Sequence, residues 1–191
     1  MKDLIFTVED GIARIVLNRP DSLNAFSLEM IDLWIDALQT VRDSDDIRVL
    51  VISGNGRGFC SGGDVKSMIK GEGFLKGDGK QDFSSTALAR KNSLWKKVQR
   101  IPLTLQEIDI PVIAKLHGVA YGAGFDMTLA CDIRIAAEST RICESYLNVG
   151  IVPGDGAAWF LPRFVGTDVA LDLLWNRTVL SAKEAKDLGL V

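Results

Sequence analysis

The sequence predicts an α/β fold, and three observations carry that reading. Short apolar runs rich in β-branched residues alternate with stretches whose apolar residues recur every three to four positions, glycine clusters join the two kinds, and 191 residues at 47% hydrophobic and 25% charged suffice for a sizeable core. The chain reads as one domain, 1–191.

Leu4 to Val8 and Ile12 to Leu17 flank the turn signal Glu9-Asp10-Gly11 and predict a hairpin. After the polar loop 18–24, Ser27 can cap a helix carrying Met30, Ile31, Trp34, Leu38 and Val41 on one face. Ile47 to Ile52 reads as a buried strand. Residues 54–63, with five glycines, form a loop that leads at Asp64 into a short helix reaching about Lys70. The stretch 71–83 has four glycines and no periodicity, which predicts a mobile segment. A long amphipathic helix is expected from Ser84 to Gln106, burying Leu88, Leu94, Trp95, Val98, Ile101 and Leu105. Pro111 starts a strand over Val112 to Leu116, the loop 118–124 follows, and Phe125 to Ala130 reads as a buried helix. Ile133 to Ala136 and Arg141 to Cys143 are short strands, and 148–156 is a third loop. Helical stretches surround Trp159, Leu161, Leu171 and Leu174, and Ser181 with Glu184 forms a capping box for a last helix ending near Gly189.

Composition excludes several function classes. A net charge of -3 leaves no electrostatic footprint for nucleic acid or an anionic membrane. The three cysteines, Cys60, Cys131 and Cys143, form no CxxC pair, which argues against a disulfide framework or zinc site and fits a reducing, cytoplasmic setting. The opening residues lack a signal-peptide core, and no apolar run approaches the roughly 18 residues of a membrane span. One histidine, His117, closes any mechanism needing two, and its place before Gly118 reads as a strand-end residue before a catalyst.

The loops at 54–63 and 118–124 each follow an apolar strand and lead into a helix. The free N–H groups and positive dipole end of such a helix start favour an anion. Two converging on one point could hold an oxyanion, although spacing leaves the convergence open. Neither loop is a dinucleotide fingerprint, because Phe59 and Met127 occupy the sixth positions, and no GxxxxGK[ST] phosphate loop exists. Asp126 lies three residues after Ala123 and would share its helix face. By itself it also suits a first-turn acid, as Asp155 in Pro-Gly-Asp-Gly suits a turn.

The segments Gly58-Phe59-Cys60-Ser61-Gly62-Gly63-Asp64-Val65-Lys66, His117 to Asp126 and Cys131-Asp132-Ile133-Arg134 resemble the crotonase family of enoyl-CoA hydratases and isomerases. Leu17-Asn18-Arg19-Pro20, Leu23-Asn24-Ala25 and Gly150-Ile151-Val152-Pro153-Gly154 extend the likeness over the whole chain. The resemblance implies a spiral of repeated β-β-α units and an acyl-CoA thioester substrate, with no cofactor beyond the coenzyme A of the substrate and no metal. By motif position it puts the oxyanion donors at the N–H groups of Gly63 and Ala123, and coenzyme A along Gly62, Gly63, Asp64, Val65 and Lys66. It further implies a homo-oligomer, a trimer or dimer of trimers, and a helical region after Leu188 to Val191 that this chain lacks, which would leave apolar surface exposed.

The departures bear on the reaction. Hydratases of this kind hold water between two glutamates, and here those positions are Asp126 and Tyr146. A tyrosine with an ordinary pKa near 10 is no base near neutral pH. Glu144, two residues upstream, would point the same way on an extended strand. Some isomerases and C–C bond hydrolases of the family place a catalytic Asp near the position of Asp155. A β-diketone hydrolase shares the pattern of Gly150 to Ala157 but has histidine where this chain has Tyr146. One carboxylate moving a proton between carbons suits double-bond isomerisation, with Asp126 and Asp155 as the proton-transfer candidates. The alternatives are a catalytically weak CoA-binding or scaffold homologue, and a C–C bond hydrolase.

Overall fold

The computed structural model describes residues 2–70 and 87–191. The segment 71–83, expected to be mobile, and the expected helix start at Ser84 lie outside them. Strands β1 (Leu4–Glu9) and β2 (Ile12–Leu17) pair antiparallel around Asp10 and Gly11, both at positive φ. Helix α1 (Leu28–Arg42) is capped by Ser27, whose hydroxyl accepts from the Met30 N–H at 3.0 Å. Its Met30, Ile31, Trp34, Leu38 and Val41 are buried, as the 3.6-residue period requires.

Strands β3 (Val49–Gly54), β4 (Val112–Leu116) and β6 (Ile133–Ala136) extend the hairpin in parallel, giving the order β1-β2-β3-β4-β6. A second sheet holds β5 (Val119–Tyr121), β7 (Arg141–Cys143) and β8 (Leu180–Ser181) in the order β5-β7-β8. Cys60 adds a one-residue parallel bridge to Ala120, the rudiment of a strand in that same sheet. Each circuit of the chain therefore gives a segment to the first sheet, then one to the second, then a helix. The circuits end in α2 (Val65–Ile69), in α5 (Ala123–Leu129), and in a 3-10 turn at Tyr146–Val149 followed by α6 (Ala157–Val165) and α7 (Thr167–Asn176). This is the expected β-β-α spiral. The short strand β5, inside what reads as a broken glycine loop, is held by its neighbours more than by its own sequence.

The expected long helix is not continuous. Helices α3 (Ala87–Ser93) and α4 (Arg100–Leu105) flank a wider π turn, Leu94–Val98, in which the Gln99 N–H reaches back to the Leu94 carbonyl at 2.9 Å. Pro102 has no N–H for the Val98 carbonyl and its ring crowds that oxygen, so the preceding turn takes one extra residue. That extra residue shifts the helical phase. Val98, Ile101 and Leu105 stay buried, while Leu88 and Trp95, expected inside, are 62% and 53% exposed.

Arg134 ties the last turn of the spiral to the end of the chain, donating from Nε to the Leu190 carbonyl at 2.8 Å and from Nη1 to the Cys131 carbonyl at 2.7 Å. Helix α8 (Ala182–Asp187) carries the capping box expected at Ser181 and Glu184. One buried apolar cluster runs from Leu4 to Leu190. Among the described residues no helix is long and apolar enough to cross a membrane.

Candidate active site

The two glycine loops converge, which spacing alone left open. Cys60 is the hinge of their contact: its N–H donates to the Val119 carbonyl at 3.1 Å, and its carbonyl accepts from the Tyr121 N–H at 2.9 Å. A Cβ built at Gly124 would stand 2.7 Å from the Cys60 Cβ and carbonyl oxygen, so only glycine admits this approach. Gly62, at φ +86°, lies so close to the second loop that a Cβ there would stand 2.8 Å from the Tyr121 carbonyl and 3.4 Å from the Ala123 nitrogen. Among the described residues the N–H groups of Gly63 and Ala123 have no protein acceptor.

Conserving that contact is the work of residues whose motif the sequence displays without its purpose. Asn24 is fully buried, and its Nδ2 donates among the carbonyls of Asn55, Gly58 and Phe59 at 2.9 to 3.0 Å, while its Oδ1 accepts from the Arg19 N–H at 2.8 Å. Arg19 in turn reaches Asp64 at 3.3 Å. His117 donates from Nε2 to the Gly56 carbonyl at 3.0 Å, binding loop to loop. It is structural, as its position suggests.

Beside the junction opens a cavity of about 660 Å³. Its walls include Gly62, Gly63, Val65, Ala123, Tyr146 and Asp155. Phe26, Met68, Leu94 and Val98 add an apolar side that the motifs do not announce. Leu94 and Val98 are legible only as helix-face residues, and Phe26 only by its place after Leu23-Asn24-Ala25. Of the residues singled out for coenzyme A, Asp64 and Lys66 do not line this cavity. Asp64 caps α2, accepting from the Ser67 N–H at 3.1 Å, and pairs with Arg19. Burial opposes its ionised form, but that hydrogen bond and the Arg19 guanidinium prevail and hold its carboxyl below the ordinary range.

All four acid and phenol candidates meet in one cluster, but at different depths. Tyr146 and Asp155 face the cavity, whereas Asp126 is fully buried behind them. Helix α5 is preceded by the cap residue Gly122 (φ +48°), and its first turn carries Asp126 inward. Glu144 follows β7 and lies beside Asp126, where it also borders a narrow recess walled by Phe125, Ile142 and Leu173, and it does not line the cavity. The 3-10 turn that begins after Ser145 breaks the strand alternation that would have aligned Glu144 with Tyr146.

The Tyr146 hydroxyl bridges Asp126 Oδ2 and Asp155 Oδ1. Asp126 Oδ1 and both Glu144 oxygens have no N–H or hydroxyl donor, and the two carboxyls lie against one another. None of the four groups takes part in a salt bridge among the described residues. Burial, then the charges of Glu144 and Asp155, raises Asp126 well above the ordinary carboxylate range. Burial also pushes Glu144 up to about 8, with a hydrogen bond shared with Asp126 opposing and the charge of Asp155 adding. Asp155 is raised by burial against the pull of Asp126, Tyr146 and the backbone N–H groups of Asp155 and Gly154. Tyr146 is raised by burial and by its acidic neighbours. Such a cluster cannot carry four charges at neutral pH. Among the described residues no group of three or more His, Cys, Asp or Glu is arranged to hold a metal ion.

A family model described as enoyl-CoA hydratase/isomerase matches residues 7–191. The chain is 33% identical over its whole length to the 1,2-epoxyphenylacetyl-CoA isomerase of Escherichia coli K12, covering 69% of that protein. It is 31% identical to the crotonyl-CoA hydratase of Syntrophomonas wolfei, again over its whole length, covering 68% of that protein. An enoyl-CoA hydratase/isomerase structure from Cupriavidus metallidurans CH34 superposes with a TM-score of 0.87 at 32% identity, covering all of this chain and 67% of the other. The chain thus spans about two thirds of the length of its relatives.

Proposed function

The chain belongs to the enoyl-CoA hydratase/isomerase family, and from that membership we propose that it moves a double bond along an acyl-CoA thioester through an enolate, in preference to adding water. The thioester oxygen accepts from the N–H groups of Gly63 and Ala123, which lack protein acceptors and flank the cavity. Charge developing on that oxygen strengthens both bonds, so they favour the transition state over the ground state. The C–H bond next to the thioester carbonyl breaks, its electron pair enters the dienolate, and Asp155 receives the proton. Asp155 then returns a proton to the far end of the former double bond, and no second acid is needed. Coenzyme A would approach along the segment Gly62 to Lys66.

The observation that carries this reading is that Asp155 is the one carboxyl lining the cavity among the described residues. Hydration calls for a water oriented by two acceptors, and the second place is occupied by the Tyr146 hydroxyl, already bonded to both aspartates. Relatives bear both hydratase and isomerase names, so the names do not choose between the reactions. Self-association as a trimer or pair of trimers, in the cytoplasm, belongs to the same reading. The exposure of Val152, Trp159 and Trp175 supports the association, and light scattering across a dilution series reads it.

Parallel assays of 3-enoyl to 2-enoyl isomerisation and of crotonyl-CoA hydration test the proposal. Isomerisation should be the faster by an order of magnitude or more. Efficient hydration that survives Asp155→Asn overturns it. Equal thermal stabilisation by free coenzyme A and by an acyl thioester, with no turnover, would favour the scaffold alternative.

A further inference from the structure

The Tyr146 hydroxyl has one proton, yet it sits between two carboxyl oxygens that, ionised, can only accept. Both bonds form only when one aspartate is a neutral acid that donates to the phenol oxygen while the phenol donates to the other. The surroundings say which is which. Asp155 receives backbone N–H groups from its own loop, which favour its ionised form, whereas Asp126 is buried against the Glu144 carboxyl with no cation beside it. The resting arrangement is therefore Asp126 Oδ2–H donating to Tyr146 Oη, and Tyr146 Oη–H donating to Asp155 Oδ1.

We propose that Tyr146 carries one proton between Asp126 and Asp155, so that the buried Asp126 is a proton store for the carboxylate that faces the cavity. In the transfer the Asp126 O–H bond breaks as a new Tyr146 O–H bond forms, and the former phenol proton passes to Asp155 Oδ1. The products are an ionised Asp126, an intact phenol and a neutral Asp155. Charge and proton number are unchanged, and no other reactant takes part. Asp155 can be offered as a base when the proton is on Asp126 and as an acid when it is not. Asp126 does not itself line the cavity; it bonds Tyr146 and also lies against Asp155 from behind, so it is a positioning and storing residue.

Among the described residues the titratable groups that face this chain are Glu144 beside Asp126 and Tyr146, the buried Cys60 thiol near Asp155, and Lys91 on the cavity wall. Neutral at pH 7, Glu144 lets Asp126 give up its proton. Once ionised, it holds that proton in place by repulsion of a second charge.

The use of the store in turnover rests on the isomerase reading, but its existence can be measured without substrate. The carboxyl carbons of Asp126 and Asp155 are followed by NMR in the ligand-free full chain labelled at aspartate. At pH 7 one of the two should be neutral, and the first ionisation should appear at both carbons, with the larger amplitude at Asp126 and a measurable share at Asp155, because the proton leaves the pair and not one residue. In Tyr146→Phe the divided step should separate into one step per carbon. In Asp126→Asn, whose amide can still donate to the phenol oxygen, the whole amplitude should move to Asp155. Two ionised carboxyls at pH 7, or an Asp155 titration unaltered in Asp126→Asn, would overturn the store. Neither result would touch the isomerase assay, so the two readings fail separately.

Discussion

Replacing Glu144 by Gln should make the protein more stable as pH rises, and the size of the effect follows from its burial. The carboxyl has an ordinary value of 4.5 and is pushed to about 8 in the folded chain. Between those values the native state binds more protons than the unfolded state, so stability falls as pH increases. Over that interval of about 3.5 units, at about 1.4 kcal/mol each, the loss approaches 5 kcal/mol at most, and it is complete by about pH 8. Gln keeps the volume of the side chain, removes the titration, and offers an N–H to Asp126 Oδ1, which has no N–H or hydroxyl donor. Guanidinium unfolding at pH 5, 6, 7 and 8 measures the difference. The two proteins should be within about 1 kcal/mol at pH 5 and separate by several kcal/mol at pH 8, with unchanged m-values. Some decline with pH should persist in the variant, because Asp126 and Asp155 are raised too. Parallel curves for wild type and variant would refute the claim that Glu144 is held neutral by the fold.

Asp155→Asn should lower isomerase kcat by about 10² or more while leaving thermal stabilisation by a saturated acyl thioester intact, since it removes the proton carrier and keeps the cavity shape. Gly62→Ala forces a side chain onto φ +86° and against the Tyr121 carbonyl. It should cost about 1–3 kcal/mol in denaturant unfolding and reduce kcat/KM by displacing the Ala123 N–H, and a variant with wild-type values of both would contradict the convergence argument. Ser181→Ala removes a capping box far from the cavity, so unfolding free energy should drop by about 1 kcal/mol with kcat unchanged.

What the sequence by itself determined is local. Ser27 with the period of α1, the capping box at Ser181, the hairpin at Asp10-Gly11 and the two glycine loops are each set by residues within a few positions of one another. The four groups Asp126, Glu144, Tyr146 and Asp155 could be named as well, through the motifs by which the chain resembles its family. Their depth could not. Whether a carboxyl faces a cavity or a closed recess depends on where α5 and the 3-10 turn after Ser145 carry it, and that is fixed by packing between circuits distant in sequence. The same limit explains the long helix: period alone placed Leu88 and Trp95 inside, and only the extra residue of the π turn before Pro102 turned them out. Convergence of the two glycine loops also belongs to the tertiary structure, because Cys60 and Gly124 are separated by most of a spiral turn and meet only when parallel strands stack. Proton sharing through Tyr146 is the last thing to appear, since it needs two carboxyls and one hydroxyl brought together out of water, which no run of neighbouring residues can specify.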